Sequence, residues 1–201
     1  GPAPPLPLGA TFTVPWPPGQ QRKNQQFSAG ALPLQTWPLA YWPDGSLKWT
    51  AHALPAGSAL PQKLEVKPGA SAPAATRVTV RDGLETIVIG TGVIEVTVPK
   101  RGADLIAAIR RDGRDIAVGG RLVVLSDDQP DSTSGTVKQP AYASEIASVK
   151  VEQNGPIRAV VKVDGRHRGS GRDWLPFSVP LYFYAGAASV RLLHTFVFDG
   201  D

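Results

Sequence analysis

The eleven residues Asp164-Gly165-Arg166-His167-Arg168-Gly169-Ser170-Gly171-Arg172-Asp173-Trp174 gather the densest set of reactive side chains in this sequence. Guanidinium groups neutralise and orient carboxylates. A histidine among like charges is held neutral, the state a general base requires. These types in this spacing offer cations that suit an anion beside a group that suits proton transfer. Arg166 and His167 are the catalytic candidates, and Arg168, Arg172 and Trp174 are candidate substrate contacts. The glycines suggest a loop after a strand, and rigid scaffolds commonly present functional residues on such loops. The alternative is a solvated hairpin loop with Trp174 tucked into the core.

A second constellation lies in Leu32 to Leu54, where Trp37, Trp42 and Trp49 flank Asp44-Gly45. Asp-Gly between two apolar-aromatic runs predicts a β-hairpin. A register centred on that dipeptide sets Trp42 opposite Leu47, Ala40 opposite Trp49, Tyr41 opposite Lys48 and Trp37 opposite His52. Side chains alternate faces along a strand. Ala40, Trp42, Leu47, Trp49 and Ala51 then share a face that reads as core. Trp37, Leu39, Tyr41, Lys48, Thr50 and His52 share the other. Trp37, Tyr41, Lys48 and His52 on that face are candidate sugar contacts, or they fill a second packed layer with Lys48 reaching outward.

Other reactive residues carry less. Tyr142, at the end of the polar stretch 126–143, is a candidate acid, although tyrosines at loop ends often only pack. His194 alternates with Val190, Leu192, Phe196 and Phe198 and reads as a core or interface residue. Asp127, Asp128 and Asp131 match no twelve-residue calcium loop and read as a solvated acidic loop. No metal site is expected. No defensible Ser-His-Asp order, Gly-rich phosphate loop or HExxH motif is present.

The elements that must position these groups are strands. The chain has 201 residues, enough for one or two domains, with 20 prolines and 21 glycines placed mostly between short apolar runs. Strands are predicted near Thr11–Val14, Lys63–Lys67, Arg77–Arg81, Thr86–Ile89, Val93–Val98, Leu105–Ile109, Asp115–Val118, Leu122–Leu125, Glu145–Glu152, Ile157–Val163, Phe177–Tyr184 and Ser189–Phe198. Asn154-Gly155 marks a further hairpin. The small, turn-prone run Pro68 to Ala75 is the best boundary. The fold class is therefore all-β, in two parts over 1–80 and 81–201.

Composition narrows the classes. There is no cysteine, which removes disulfides, thiolate metal sites and a thiol nucleophile. The net charge is +4, but the basic residues are dispersed apart from Arg166, Arg168 and Arg172, so no nucleic-acid stripe is expected. No stretch approaches the roughly 18 apolar residues of a membrane helix. The chain contains no methionine, so its Pro-rich start is expected to be a processed N-terminus or a cloning remnant. Phe198-Asp199-Gly200-Asp201 is a strand entering a turn, from which the chain is expected to be the front of something longer, the alternative being a frayed natural end.

Two segments resemble a known family. One is Trp42-Pro43-Asp44-Gly45-Ser46-Leu47-Lys48-Trp49. The other begins at Gly155-Pro156-Ile157-Arg158-Ala159-Val160-Val161 and continues through Gly165, His167, Trp174, Pro176-Phe177, Tyr182, Tyr184-Ala185-Gly186 and His194 to Asp201. Over about residues 8–201 the chain resembles the N-terminal part of secreted exo-rhamnogalacturonan lyases and related bacterial polysaccharide lyases, including ulvan-type enzymes. The resemblance implies a small RIFT-type β-barrel over 1–80, an antiparallel β-sandwich over 81–201 and, further along such proteins, an (α/α) toroid that this chain lacks. It also implies secretion, an acidic polysaccharide as partner, and a second chain or C-terminal region carrying the toroid, with no cofactor. Such lyases perform β-elimination: a cation neutralises the uronate carboxylate, a base removes the adjacent proton, and an acid protonates the leaving oxygen. Arg166, His167 and Tyr142 would take those roles here. The rival expectation is a non-catalytic module that binds carbohydrate or scaffolds a catalytic chain.

Overall fold

Proline and Asp-Gly punctuation leaves no apolar run long enough for a helix, and the described residues form none. The computed structural model describes residues 6–126 and 139–199. The first unit holds β1 (Ala10–Pro15), β2 (Phe27–Ser28), β3 (Gln35–Tyr41), β4 (Leu47–Leu54) and β5 (Lys67–Pro68). β4 runs between β1 and β3 in an antiparallel sheet, and β2 pairs with β5. The second unit opens with a five-stranded antiparallel meander: β6 (Thr79–Asp82), β7 (Thr86–Gly90), β8 (Glu95–Pro99), β9 (Ile106–Arg111) and β10 (Arg114–Gly120). Facing it is a sheet of β11 (Val123–Leu125), β12 (Ala141–Asn154), β13 (Arg158–Gly169), β14 (Arg172–Tyr184), β15 (Arg191–Leu192) and β16 (Thr195–Phe196).

Strict alternation builds the sandwich core. Ile87 pairs with Val98 and Ile89 with Val96 on one sheet. Val161 pairs with Leu181, Val163 with Val179 and Ala159 with Phe183 on the other. All ten side chains are fully buried, so the two inner faces meet as a dry layer. The first unit has its own core of Phe27, Leu34, Leu47 and Leu54, with Phe12 and Trp16 against it.

The Trp hairpin forms, but its register differs from expectation. Trp42 N donates to Ser46 O, so the turn spans three residues, Pro43 to Gly45, rather than two. Tyr41 therefore faces Leu47, not Lys48, and Trp37 faces Ala51, not His52; Ala40 opposite Trp49 holds. Bulges on either side of Ala40 leave Leu39 and Lys48 as the extra residues. The bulge reverses the face assignment beyond it. Thr50 and His52 are fully buried, whereas Trp49, expected in the core, is 38% exposed.

The strand expected at Ser189–Phe198 is broken into β15 and β16, and β14 explains why. Pro180 O accepts from Leu193 N and Pro176 O from Val197 N. In an antiparallel strand a residue's N–H and C=O point the same way. The N–H groups that these two prolines lack would have faced this last strand, so its ladder cannot close.

One side chain joins the two units. Gln35 Oε1 accepts from Ile157 N at 2.9 Å and Arg158 N at 2.8 Å, and Gln35 Nε2 donates to Arg158 O at 3.1 Å. Tyr184 OH meets Thr11 Oγ1 at 2.7 Å, and Ala56 N donates to Ala185 O. A third apolar cluster of Ala53, Ile157, Tyr184 and Ala187 closes around these bonds. Gly155 is required beside them, because a Cβ there would overlap Nε2, Cδ and Oε1 of Gln35.

Gly155→Ala is expected to cost about 1–3 kcal/mol through overpacking. Gln35→Ala should cost a similar amount, about 1–3 kcal/mol, by stranding two backbone donors. The double variant should cost less than the sum, since the added methyl fits once the amide is gone. Urea denaturation of the four proteins checks this; strict additivity would mean that the two residues do not share one site.

Candidate functional site

The stretch expected as a glycine-rich loop is a β-hairpin. Gly169 pairs with Arg172, and Ser170 and Gly171 form a two-residue turn with φ of 49° and 75°, the type I′ pattern that suits a tight hairpin. Strand alternation then sends Arg166 and Arg168 outward and His167 inward, so the three adjacent residues do not share a face.

His167 is 1% exposed, which corrects the expectation of an accessible loop base. Its Nδ1 donates to Leu175 O at 2.9 Å. That carbonyl acceptor requires a proton on Nδ1, and Nε2 is sealed and without a partner among the described residues. The ring packs against Phe177 with centroids 5.2 Å apart, and His194 lies 6.3 Å away. His194, expected in a core or interface, is solvent-accessible and packs its ring against His167, Phe177 and Phe196. Partial desolvation, then the neighbouring His167, lowers its pKa.

On the outer face Arg168 is already neutralised. It grips Asp173 with Nε at 2.6 Å and Nη2 at 2.9 Å, and its Nη1 reaches Glu145 at 2.7 Å. The hydrogen bond and charge of Asp173, with Glu145 beyond it, push the Arg168 pKa up, and Arg168 in turn lowers that of Asp173. Arg166 has a looser pairing, 3.6 Å to Asp199. Arg172 lies over Trp174, 4.7 Å from the ring centroid. Tyr142 meets Trp174 edge-on with centroids 5.5 Å apart and is buried in this packing, where it was expected as an acid at a loop end. The hairpin therefore brings Arg166, Arg168, Arg172, Trp174 and Tyr142 to one end of the sheet, with the two arginines 166 and 172 the more available cations.

The four candidates on the Trp hairpin do not form one platform, and the bulges at Leu39 and Lys48 are the reason. Tyr41 is exposed, with Lys23 Nζ 5.6 Å from its ring centroid. Lys48 folds over Trp42 at 4.5 Å. Trp37 turns to the seam between the units, where Arg158 stacks on it at 4.8 Å. His52 is buried in the first unit's core, stacked on Phe12 and edge-on to Phe27, so the expected sugar contact is a structural residue. Its Nδ1 meets Thr36 Oγ1 at 2.8 Å and its Nε2 meets Thr50 Oγ1 at 2.7 Å. Thr50 also accepts from Trp16 Nε1 at 2.8 Å. Desolvation lowers the His52 pKa to about 4.

Two features escaped the sequence reading. One is a pocket of about 490 Å³ in the first unit, with Lys23, Gln25, Gln26, Thr36 and Trp37 in its wall. The polar run Lys23 to Gln26 was its only sequence signal. The other is Arg158 at the seam, whose setting depends on a contact between residues 35 and 158 that no local pattern announces. Among the described residues no three His, Asp or Glu side chains gather as a metal site; Asp127, Asp128 and Asp131 lie outside the described residues.

A small barrel-like unit followed by an antiparallel sandwich, with a cationic and aromatic hairpin at one end, defines a class of all-β barrel-and-sandwich modules. The chain belongs to the PcRGLX-like family: residues 1–69 match its N-terminal RIFT barrel domain and residues 78–201 its central beta sandwich domain. These are domains of rhamnogalacturonan lyase-like proteins, as the sequence resemblance implied. The chain is also 34% identical over 199 residues to the uncharacterized protein YetA of Bacillus subtilis (strain 168), a match covering 95% of this chain. It spans 23% of that relative's length.

His52 gives a pH test of the first unit. Its folded pKa of about 4 lies below the ordinary histidine value of 6.5. The unfolded chain therefore binds the proton first, and stability is full above pH 6.5 and lost as pH falls toward 4. The expected loss is on the order of 3 kcal/mol. Urea midpoints measured between pH 7.5 and 4 should fall in wild type and flatten in His52→Asn. Parallel profiles would exclude His52 as the source.

Proposed function

We propose that this chain is the N-terminal barrel-and-sandwich portion of a secreted polysaccharide lyase. The protein would cleave a uronate-containing polysaccharide, rhamnogalacturonan- or ulvan-like, by β-elimination. The observation that carries the reading is the match of both units, in order, to domains of the PcRGLX-like family. The hairpin face supports it chemically. Arg172 lies over Trp174 and Arg166 stands on the outward face of the same hairpin, and cations near an aromatic surface suit an acidic glycan. With His167 sealed and Tyr142 packed, this chain contributes substrate binding, and the proton-transfer groups belong to the helical region that such proteins carry. The exposed apolar side chains of Leu193, Phe196, Val197 and Phe198 offer that region, or a second chain, a surface to cover.

A second reading is a non-catalytic carbohydrate-binding or scaffolding module, favoured by the burial of His167. One pair of measurements separates the two. The chain, alone and joined to the remainder of a PcRGLX-like protein, is incubated with rhamnogalacturonan and with ulvan. Ultraviolet absorbance follows the unsaturated uronate, and calorimetry follows binding. Binding by the chain, with product only from the longer protein, is the expected outcome. Binding with no product from either form supports the module, and absence of both binding and product rejects both readings. Arg166→Ala combined with Arg172→Ala should weaken binding about tenfold at low salt, with less effect at high salt. Unchanged binding would retire the hairpin as a subsite.

A further inference from the structure

The seam between the two units encloses a second kind of site. A pocket of about 450 Å³ opens there, lined by Trp37, Glu152, Gln153, Asn154, Arg158 and Tyr182. Its centre is Arg158. The guanidinium carbon lies 4.8 Å from the Trp37 ring centroid and 4.9 Å from that of Tyr182. One ring comes from the barrel and the other from the sandwich, so the docking of the units builds the slot. The backbone of Arg158 is fixed by Gln35 through three hydrogen bonds.

The charge in this slot is not answered by the protein. Arg81, Arg110, Arg121 and Arg168 each sit within 3.2 Å of a carboxylate oxygen. Arg158 makes no ion pair among the described residues, although Glu152 shares its pocket. Among the described residues its one side-chain hydrogen bond is a long 3.5 Å contact from Nη1 to Thr11 Oγ1. Arg158 Nε and Gln153 Oε1 are both sealed from solvent without partners. Leaving buried polar atoms unsatisfied costs free energy, so the described residues alone do not complete the polar network at this seam. Stacking on two rings holds the guanidinium plane in place, so little rotamer entropy remains to be lost when its fork closes on a planar anion.

We propose that this seam binds the carboxylate of an acidic sugar, with Arg158 taking the carboxylate through its η edge and the Gln153 amide taking an adjacent hydroxyl. The sugar class rests on the lyase-family reading above, whereas the need for a carboxylate rests on Arg158. Trp37 and Tyr182 act as positioning residues for the guanidinium. The ligand chemistry is a carboxylate beside a hydroxyl, which a free uronic acid and a uronate within a polymer both present.

The test uses the 201-residue chain. It is titrated with D-galacturonate, the galacturonate trimer, D-galactose and acetate. Calorimetry gives affinities, and the NMR signal of the Trp37 indole N–H reports occupancy of the slot. The acids should bind saturably and shift that signal, with galactose and acetate at least about tenfold weaker. Arg158→Gln should weaken acid binding about tenfold or more, with Arg158→Lys intermediate because it keeps charge but not the fork. Gln153→Leu should weaken it severalfold while leaving the Arg158 slot in place. A trimer tighter than the monomer marks a polymer site, equal affinities mark a single-sugar site, and both support the proposal. It is overturned if neither acid shifts the Trp37 signal, if galactose or acetate binds as well as galacturonate, or if a folded Arg158→Gln binds like wild type. Elimination is not a readout here. Absence of unsaturated product leaves this site standing, and loss of this site leaves the lyase reading standing.

Discussion

The structure turns on one side-chain amide. Gln35 uses both its oxygen and its nitrogen on the backbone at the start of β13, and so caps the β12–β13 hairpin from the other unit. Two turn amides that would otherwise face the seam gain an acceptor, and the carbonyl between the strands gains a donor. A neutral amide does this without the desolvation cost of an ion pair. The same bonds set the spacing of everything at the seam. Trp37 lies two residues on and therefore on the same face, Arg158 follows Ile157, and Tyr182 on β14 is its diagonal neighbour, two residues before its cross-strand partner Tyr184. The aromatic slot is thus a by-product of how the units dock.

The two units solve the burial of polar groups differently. The sandwich core is wholly apolar where the sheets meet, as ten paired aliphatic and aromatic side chains allow. The barrel is too small for that and admits His52, Thr50, Thr36 and the Trp16 indole as a connected set. The simplest assignment has Trp16 donating to Thr50, Thr50 to His52 Nε2, and His52 Nδ1 to Thr36. Each member is satisfied, and the histidine stays neutral, so the network is compatible with a closed interior.

Element types were legible in the sequence, because turn dipeptides and alternation act locally. The strands at 86–90, 95–99 and 114–120 follow from local alternation and from the Thr91-Gly92 and Asp112-Gly113 turns, although Gly119-Gly120, which reads as a turn, lies inside the last of them. Register was not legible. A two-residue and a three-residue turn can use the same Asp44-Gly45 pair, and they differ by one residue in what faces the core. The bulge at Lys48, which no local pattern announces, then moved Thr50 and His52 inside and Trp49 out. The hairpin at 164–174 was misread as a loop because its glycines looked permissive. Gly165 and Gly169 instead stand where a side chain would strike the backbone of β12. The Arg158 slot was illegible for another reason: it joins residues 121 positions apart, and only the docked fold makes them neighbours.

The paired prolines of β14 have a consequence for time rather than for shape. Segments held by few backbone bonds open without the rest of the domain, and amide exchange reports such openings. With Pro176 and Pro180 withholding donors, the stretch through β15 and β16 is tied to the sheet at isolated points, while β13 and β14 are tied along their whole length. His194 and Asp199, which flank His167 and Leu175, ride on that stretch. The seclusion of the His167 imidazole is therefore a property with a lifetime, set by the closing and release of this edge and not by the unfolding of the sandwich beneath it.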